Sequence, residues 1–146
     1  PAYVVHMRPT TPFRSPLLVD KAINLFLTST DATALRSVHE MSQSAHKSLE
    51  LAPNGWLRLL GAADTDLDPA NLNRQSFPTT FVANGYVDVL SVEFIRATGL
   101  LHGDRVIPYM TPPVLEVDTE DDMEHLEFQL TKDSELLTAL FARGLS

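Results

Sequence analysis

Glu116 and Asp118 are carboxylates separated by a single residue, in the stretch Pro113-Val114-Leu115-Glu116-Val117-Asp118-Thr119-Glu120-Asp121-Asp122. Pro113 to Val117 reads as a short buried strand, so alternation puts both acidic side chains on one side of it, at its carboxyl end. Two carboxylates at the carboxyl end of a strand in an open α/β sheet suit a Mg²⁺ ion held beside a phosphate. The same residues have a plainer reading. Acidic side chains at a strand-to-helix junction cap the helix and complement the positive end of its dipole. Thr119 has the type and place of an N-cap, and Asp122 takes the capping-box position usually held by Glu or Gln. Spacing alone leaves both readings open.

The elements that would position these groups follow from periodicity. Met123, Leu126 and Leu130 recur at helical spacing and predict a helix through Leu130 with one buried face. Tyr3 to Met7 is a β-rich apolar run, predicted as a strand covered on both faces. Arg8 to Ser15 is a loop stiffened by Pro9 and Pro12. Ser15 and Pro16 then read as N-cap and first residue of a helix, whose face carries Leu18, Val19, Ala22, Ile23, Leu25 and Phe26. Leu35 to Met41 reads as a strand. Ser48 to Ala52 and Trp56 to Leu60 flank Pro53-Asn54-Gly55, a hairpin turn. Gly61 to Asn73 is a loop whose Asp64, Asp66 and Asp68 resemble the start of a calcium loop, but the later Gly and Glu are absent. Ala83-Asn84-Gly85 reads as a turn, and Tyr86 to Leu90 as a strand. Ser91 caps a short helix through Ala97, ended by Gly99. Arg105 to Met110 reads as a strand, and Ser134 to Arg143 as a last helix.

This order predicts an α/β fold, a three-layer sandwich with a mostly parallel sheet, as one domain over residues 1–146. Residues 35–75 lack a core of their own and are expected to project and pair with a second copy, giving a homodimer. The chain enters a buried strand almost at Pro1, so the native domain is expected to begin further upstream.

Composition narrows the function. With 146 residues, 44% hydrophobic and 21% charged, the chain is of globular type and long enough for a real core. A net charge of −8 argues against binding a nucleic-acid backbone, which needs clustered Lys and Arg. A small anionic substrate needs only a few local cations and stays open. There is no Cys, which excludes disulfides, thiolate catalysis and Cys-bound zinc. His6, His39, His46, His102 and His125 show no metal-ligand spacing. No apolar run is long enough to cross a bilayer, and no secretion signal is evident, so no membrane partner and a cytoplasmic location are expected.

Four stretches, taken together, resemble the cytidylyltransferases that activate nonulosonic acids, the CMP-sialic acid synthetases (N-acylneuraminate cytidylyltransferases) and their bacterial relatives. Arg8-Pro9-Thr10-Thr11-Pro12-Phe13-Arg14 is similar to that family's Gln-Pro-Thr-Ser-Pro-Leu-Arg loop. Arg36-Ser37-Val38 followed by His46-Lys47 is similar to its Arg-Ser-Val and His-Pro-x-Lys segment. Asn73-Arg74-Gln75, with Pro78, Phe81 and Asn84-Gly85, resembles its Arg-Arg-Gln to Asn-Gly segment. Glu116 to Asp122 resembles its acidic-x-Asp-Thr-x-x-Asp ending. The four occur in the family's order over nearly all of the chain.

The resemblance implies a nucleotide-diphospho-sugar transferase-like fold and transfer of CMP from CTP to an acidic sugar, with release of pyrophosphate. It implies Mg²⁺ held by Glu116 and Asp118, with Asp118 catalytic. Arg8, Thr10, Thr11, Lys47, Arg74 and Gln75 would bind substrate, Lys47 and Arg74 as cations for phosphate or for the sugar's carboxylate. Without the resemblance, Lys47 and Arg74 read as solvated surface cations. Arg8 replaces the Gln common in sialic acid members, and Tyr86 follows Asn84-Gly85 where a small residue is usual. Both changes widen the expected sugars to legionaminic, pseudaminic or another related acid. The family's Gly-rich basic segment that cradles the CTP phosphates has no counterpart here, so residues before Pro1 or a further chain are expected to supply it. The competing reading is a catalytically inactive truncated homologue serving as an oligomerisation or sugar-binding module.

Overall fold

A computed structural model describes residues 1–132 of the 146. The elements in order are β1 (Tyr3–His6), α1 (Pro16–Leu27), β2 (Ala34–Glu40), β3 (Leu49–Leu51), β4 (Leu57–Leu59), β5 (Phe81–Ser91), α2 (Val92–Thr98), β6 (Val106–Met110) and α3 (Glu120–Lys132). Single 3₁₀ turns fall at Ala45–Lys47, Asp68–Asn71 and Arg74–Ser76. The chain divides into two compact units, residues 1–39 together with Ala83 onward, and residues 40–82. It leaves the first unit at the end of β2 and re-enters it along β5.

The first unit is a mixed α/β structure around a four-stranded sheet of order β1-β5-β2-β6. Strands β1 and β5 run antiparallel, with Tyr3 opposite Ser91 and His6 opposite Asp88. Strands β2 and β6 run parallel, with Leu35 opposite Ile107. The mostly parallel sheet expected from the sequence is therefore a mixed one. Ala22 and Phe26 of α1 pack with Leu35, Tyr86, Val87 and Val89 to form the core. Tyr3 reaches the same core, its ring 6.4 Å from that of Phe26. The Ser37 hydroxyl accepts from the Val87 N–H at 2.9 Å, so this buried polar group is satisfied inside the apolar layer.

Burial alternates along β1, Tyr3 and Val5 inward, Val4 and His6 outward. The strand is thus covered on one face rather than two. Two helix starts match their sequence signals. Ser91 Oγ accepts from the Phe94 N–H, and Gly99 closes α2 in the left-handed conformation at φ 73°. Thr119 and Asp122 form the expected reciprocal box, with Thr119 N–H to Asp122 Oδ2 at 3.0 Å and Asp122 N–H to Thr119 Oγ1 at 3.2 Å. At α1 the cap differs. The Ser15 side chain makes no capping bond, and the Ser15 N–H donates instead to the Tyr86 phenol oxygen at 2.5 Å.

Three local expectations fail for identifiable reasons. Ala83-Asn84-Gly85 does not reverse the chain, because β5 runs through it from Phe81 to Ser91. Gly85 does take a positive φ of 64°, so the Asn-Gly signal marked a left-handed residue inside a strand. Pro113 to Val117 is not a strand. Pro112 and Pro113 lack N–H donors, and the Val117 N–H goes to the Thr10 carbonyl at 2.8 Å, so the segment is bonded to the loop after β1. In α3, Leu126 is buried but Met123 is 47% exposed, so the buried face is narrower than the spacing suggested. The helix expected at Ser134 to Arg143 lies outside the described residues.

The second unit carries the hairpin of β3 and β4, with Leu49 opposite Leu59 and Leu51 opposite Leu57. Gly55, at φ 84°, supplies the turn. Glu50 and Arg58 pair across the strands at 2.8 Å. Leu51 and Trp56 are 71% and 69% exposed, the reverse of a core position.

Candidate functional site

In the first unit, the loop after β1 is held by backbone carbonyls gathered under one side chain. Arg14 Nε donates to the Tyr86 carbonyl at 2.7 Å, and its Nη2 donates to the carbonyls of Gly85, at 3.2 Å, and of Arg8. A planar guanidinium can serve several acceptors at once because its donors are fixed in a fork. Burial holds the Arg14 guanidinium below its ordinary value, and burial likewise pushes the Tyr86 phenol up. The Thr11 N–H bonds the Arg8 carbonyl at 3.2 Å, tightening the loop into a turn.

This anchoring fixes Arg8. Its aliphatic stem lies on Gly85, where an added Cβ would stand 2.6 Å from Arg8 Cδ. Its Nη1 comes within 3.9 Å of Glu116 Oε1. Thr10 contributes its carbonyl to Val117, which ties the Glu116 segment to the loop. Thr11 is fully buried, and its hydroxyl makes no hydrogen bond. So Arg8, Thr10, Thr11 and Glu116, drawn from two separate stretches of sequence, come together at one end of the sheet. Asn84 adds to the same end: its Nδ2 donates to Thr111 Oγ1 at 2.6 Å and lies 3.3 Å from His39 Nδ1.

Asp118 is exposed, and its backbone N–H bonds Asp122 Oδ2 at 3.1 Å. Its carboxylate makes no hydrogen bond or ion pair among the described residues. The alternation argument that put Glu116 and Asp118 on one side of a strand does not apply, because no strand is there. Among the described residues no set of three His, Cys, Asp or Glu side chains is arranged to hold a metal ion. A Mg²⁺ site needs fewer, since one or two carboxylates with water and phosphate suffice. The two hard oxygen donors at Glu116 and Asp118 fit that requirement in kind, Glu116 being 35% exposed at its side chain and not hydrogen-bonded.

Lys47, Arg74 and Gln75 belong to the second unit. Arg74 Nη2 donates to Glu40 Oε1 at 2.5 Å and to the Met41 carbonyl at 2.9 Å. Arg74 and Gln75 line a cleft of about 500 Å³ with Glu40, Ser44, Phe77 and Thr80. The His46 ring stacks on Phe77 with centroids 6.0 Å apart, and Lys47 Nζ lies 5.7 Å from the same ring centroid. His46 and Lys47 thus share one aromatic platform, a contact worth up to about 1 kcal/mol at an exposed position. Asp64 and Asp66 spend carboxylate oxygens on the backbone N–H groups of Asp66 and Asp68, as turn residues do.

Two residues escape a reading by motif. Arg14 looks like the last letter of a loop and is its clamp. Asp88 is buried, at 6% exposure, in the middle of an apolar strand. The signal for it was present: a charge at one position of Tyr86-Val87-Asp88-Val89-Leu90 contradicts the burial its neighbours imply. No family model matches the chain and no curated protein matches it, so a functional reading rests on the geometry above and on the sequence resemblance.

Proposed function

We propose that the protein is a nucleotidyltransferase that joins CMP from CTP to an acidic nonulosonic sugar and releases pyrophosphate. The observation that carries this reading is the meeting of Arg8, Gly85 and Glu116 in the first unit, since each comes from a different stretch of the resemblance. Phosphoryl transfer depends mainly on positioning and on charge stabilisation, and an anchored Arg beside a carboxylate is suited to both. The fold that goes with this reading is the three-layer sandwich of the nucleotide-diphospho-sugar transferases.

Each residue then has a task. Glu116 and Asp118 would hold Mg²⁺, which when bound supplies positive charge to the triphosphate. Arg8 neutralises an anionic oxygen of the substrate, and the Arg14 clamp keeps it from swinging away. Thr10 and Thr11 shape the loop. In the second unit, Arg74 keeps Nε and Nη1 without a hydrogen bond among the described residues, leaving part of its fork for a carboxylate. Lys47 offers a point charge and Gln75 an amide. An acidic sugar with hydroxyl groups matches that set in charge and hydrogen bonding.

A homodimer belongs to the same proposal. An isolated two-stranded hairpin is marginal in water, and this one exposes Leu49, Leu51, Trp56 and Leu57. The same exposure favours the second reading, a non-catalytic module that assembles or binds sugar. Pyrophosphate release separates the two, measured on the polypeptide as encoded with CTP, Mg²⁺ and a panel of nonulosonic acids. Turnover with at least one acid supports the transferase. Absence of release across the panel, from folded protein, removes it and leaves the module. Asp118→Asn should lower turnover by about 10²-fold, since a metal's charge contributes several kcal/mol in the transition state. An unchanged rate would take Asp118 out of the mechanism.

A further inference from the structure

Glu40 and Arg74 stand together in the cleft of about 500 Å³ in the second unit. Both reach solvent, with side chains 52% and 53% exposed. Phe77 and Pro78 give the cleft an apolar wall, and Ser44 and Thr80 a polar one. Thr80 Oγ1 accepts from the Ala45 N–H at 3.0 Å, and Ser44 Oγ from the His46 N–H at 3.3 Å. Each hydroxyl is thus fixed in place with its own proton left to donate.

A guanidinium offers a carboxylate two flat edges, each with a pair of parallel N–H groups. One edge is Nε with Nη2 and the other is Nη1 with Nη2, so both edges use Nη2. In Arg74 that nitrogen is engaged twice, by Glu40 Oε1 at 2.5 Å and by the Met41 carbonyl at 2.9 Å. Two acceptors account for both of its protons. Nε and Nη1 remain, but they share no edge. An incoming carboxylate therefore finds one bond at a time, and gains a second only by displacing an acceptor from Nη2.

The two acceptors differ in how firmly they are held. The Met41 carbonyl belongs to a backbone that is itself tied down, its N–H bonded to the Thr80 carbonyl at 2.9 Å. The Glu40 carboxylate is held by Arg74 alone among the described residues. An exposed ion pair of this kind contributes little and exchanges readily with water. Glu40 is therefore the group that gives way. A ligand carboxylate replaces it on Arg74 with like charge and like geometry, whereas a neutral sugar brings nothing to exchange and leaves the pair closed. Once displaced, Glu40 stays at the cleft as an acceptor for the ligand's hydroxyl and N–H groups.

We propose that Glu40 is a specificity-determining residue of this cleft: it occupies the edge of Arg74 that the acid group of the sugar takes, so that only a ligand offering a carboxylate in exchange opens the pair. The proposal rests on the transferase reading for the placing of the sugar here. Its test is binding without CTP or Mg²⁺, so its failure is distinct from a failure to release pyrophosphate. N-acetylneuraminate at millimolar concentration is the probe, and its neutral methyl ester is the control. Heteronuclear NMR on the full chain should show a saturable shift of the Arg74 Nε–H signal with the acid. Glu40→Gln keeps the size of an exposed side chain and removes its charge. It should tighten the acid about two- to fivefold, the weight of an exposed ion pair, and leave the ester unchanged. Should that variant not fold, Glu40→Ser serves instead. Arg74→Ala, followed at the Phe77 and Thr80 amides, should weaken the acid, and adding Glu40→Gln to it should recover nothing. No binding of the acid to the parent protein, an equal gain for acid and ester, or an acid affinity unchanged or lowered in the folded Glu40 variants would each overturn the assignment. So would the same gain in the absence of Arg74, or a larger gain for inorganic phosphate than for the sugar acid.

Discussion

The Arg8 side chain rests on Gly85 so closely that any side chain at residue 85 would collide with it, the hypothetical Cβ standing 2.6 Å from Arg8 Cδ. Gly85 is also at φ 64°, a region where an L-residue is strained by about 1–2 kcal/mol. Gly85→Ala should therefore lower stability, read from the urea midpoint, by the strain plus a smaller cost for displacing the half-exposed Arg8 stem. The double substitution Gly85→Ala with Arg8→Ala separates the two contributions. It should recover the cost of displacing Arg8 and leave the backbone strain, giving a coupling of about 0.5 kcal/mol between these neighbours. Additive effects would mean that Arg8 does not rest on Gly85 in solution.

Arg14→Lys tests the clamp. A lysine ammonium reaches one of the three carbonyls that Arg14 serves, because it lacks the planar fork. The carbonyls lose charge-assisted bonds, although those of Arg8 and Gly85 keep the N–H groups of Thr11 and Arg8, so the cost is about 1–3 kcal/mol. Thermal unfolding should show the loss, and the transferase reading adds that turnover should fall further than stability accounts for, since Arg8 would no longer be held. A variant as stable as the parent would show that water replaces the guanidinium without penalty.

The hairpin prediction concerns assembly. Leu51 and Trp56 are the most exposed of its large apolar residues, so a second copy that covers the hairpin would rely on them. Light scattering at micromolar concentration should give a dimer for the parent chain. Leu51→Lys with Trp56→Ser should give a monomer whose circular dichroism is unchanged, because neither side chain supports the core. Large apolar anchors at an interface commonly cost about 2 kcal/mol or more when removed, enough to shift the dissociation constant over tenfold. A parent chain that is already monomeric would refute the assembly.

The sequence spoke clearly where a local rule has a local cause. The Ser91 cap with Gly99, the Thr119 and Asp122 box, and the Pro53-Asn54-Gly55 hairpin are each decided within a few residues, and each is present. It misled where the deciding partner is distant. Asn84-Gly85 carries a turn signal, yet the positive φ of Gly85 serves a strand that must pass beneath Arg8, far away in sequence. Pro113 to Val117 reads like a short buried strand, but Val117 is bonded by Thr10. The mixed sheet was hidden for the same reason, since the antiparallel pairing of β1 with β5 joins residues far apart in sequence, Tyr3 with Ser91. For the candidate site, motif order singled out Arg8, Thr10, Thr11 and Glu116, which the fold of the first unit gathers. It passed over Asp88, a buried carboxylate that the fold surrounds with Arg36, His6 and His102.

The start of α3 should respond to acid in a defined direction. The Asp122 carboxylate is held below its ordinary value of 3.8, first by the Thr119 hydroxyl and then by the backbone N–H groups of Asp118 and Thr119. A carboxylate depressed in the folded state stabilises it fully above the unfolded value, and that contribution is lost as pH falls through the folded value. Helix content by circular dichroism should thus hold at neutral and mildly acid pH and fall as the pH drops past the ordinary carboxylate value of 3.8 and through the lower folded one. Other acidic groups titrate nearby, so the difference between parent and Asp122→Asn isolates this one. Asparagine can still accept from the Thr119 N–H, but it carries no charge toward the helix dipole and no proton to gain. The variant should begin with a slightly frayed first turn at neutral pH and show a shallower decline in acid. Identical acid profiles for the two proteins would show that the box closes through Thr119 alone and that the Asp122 charge contributes nothing to it.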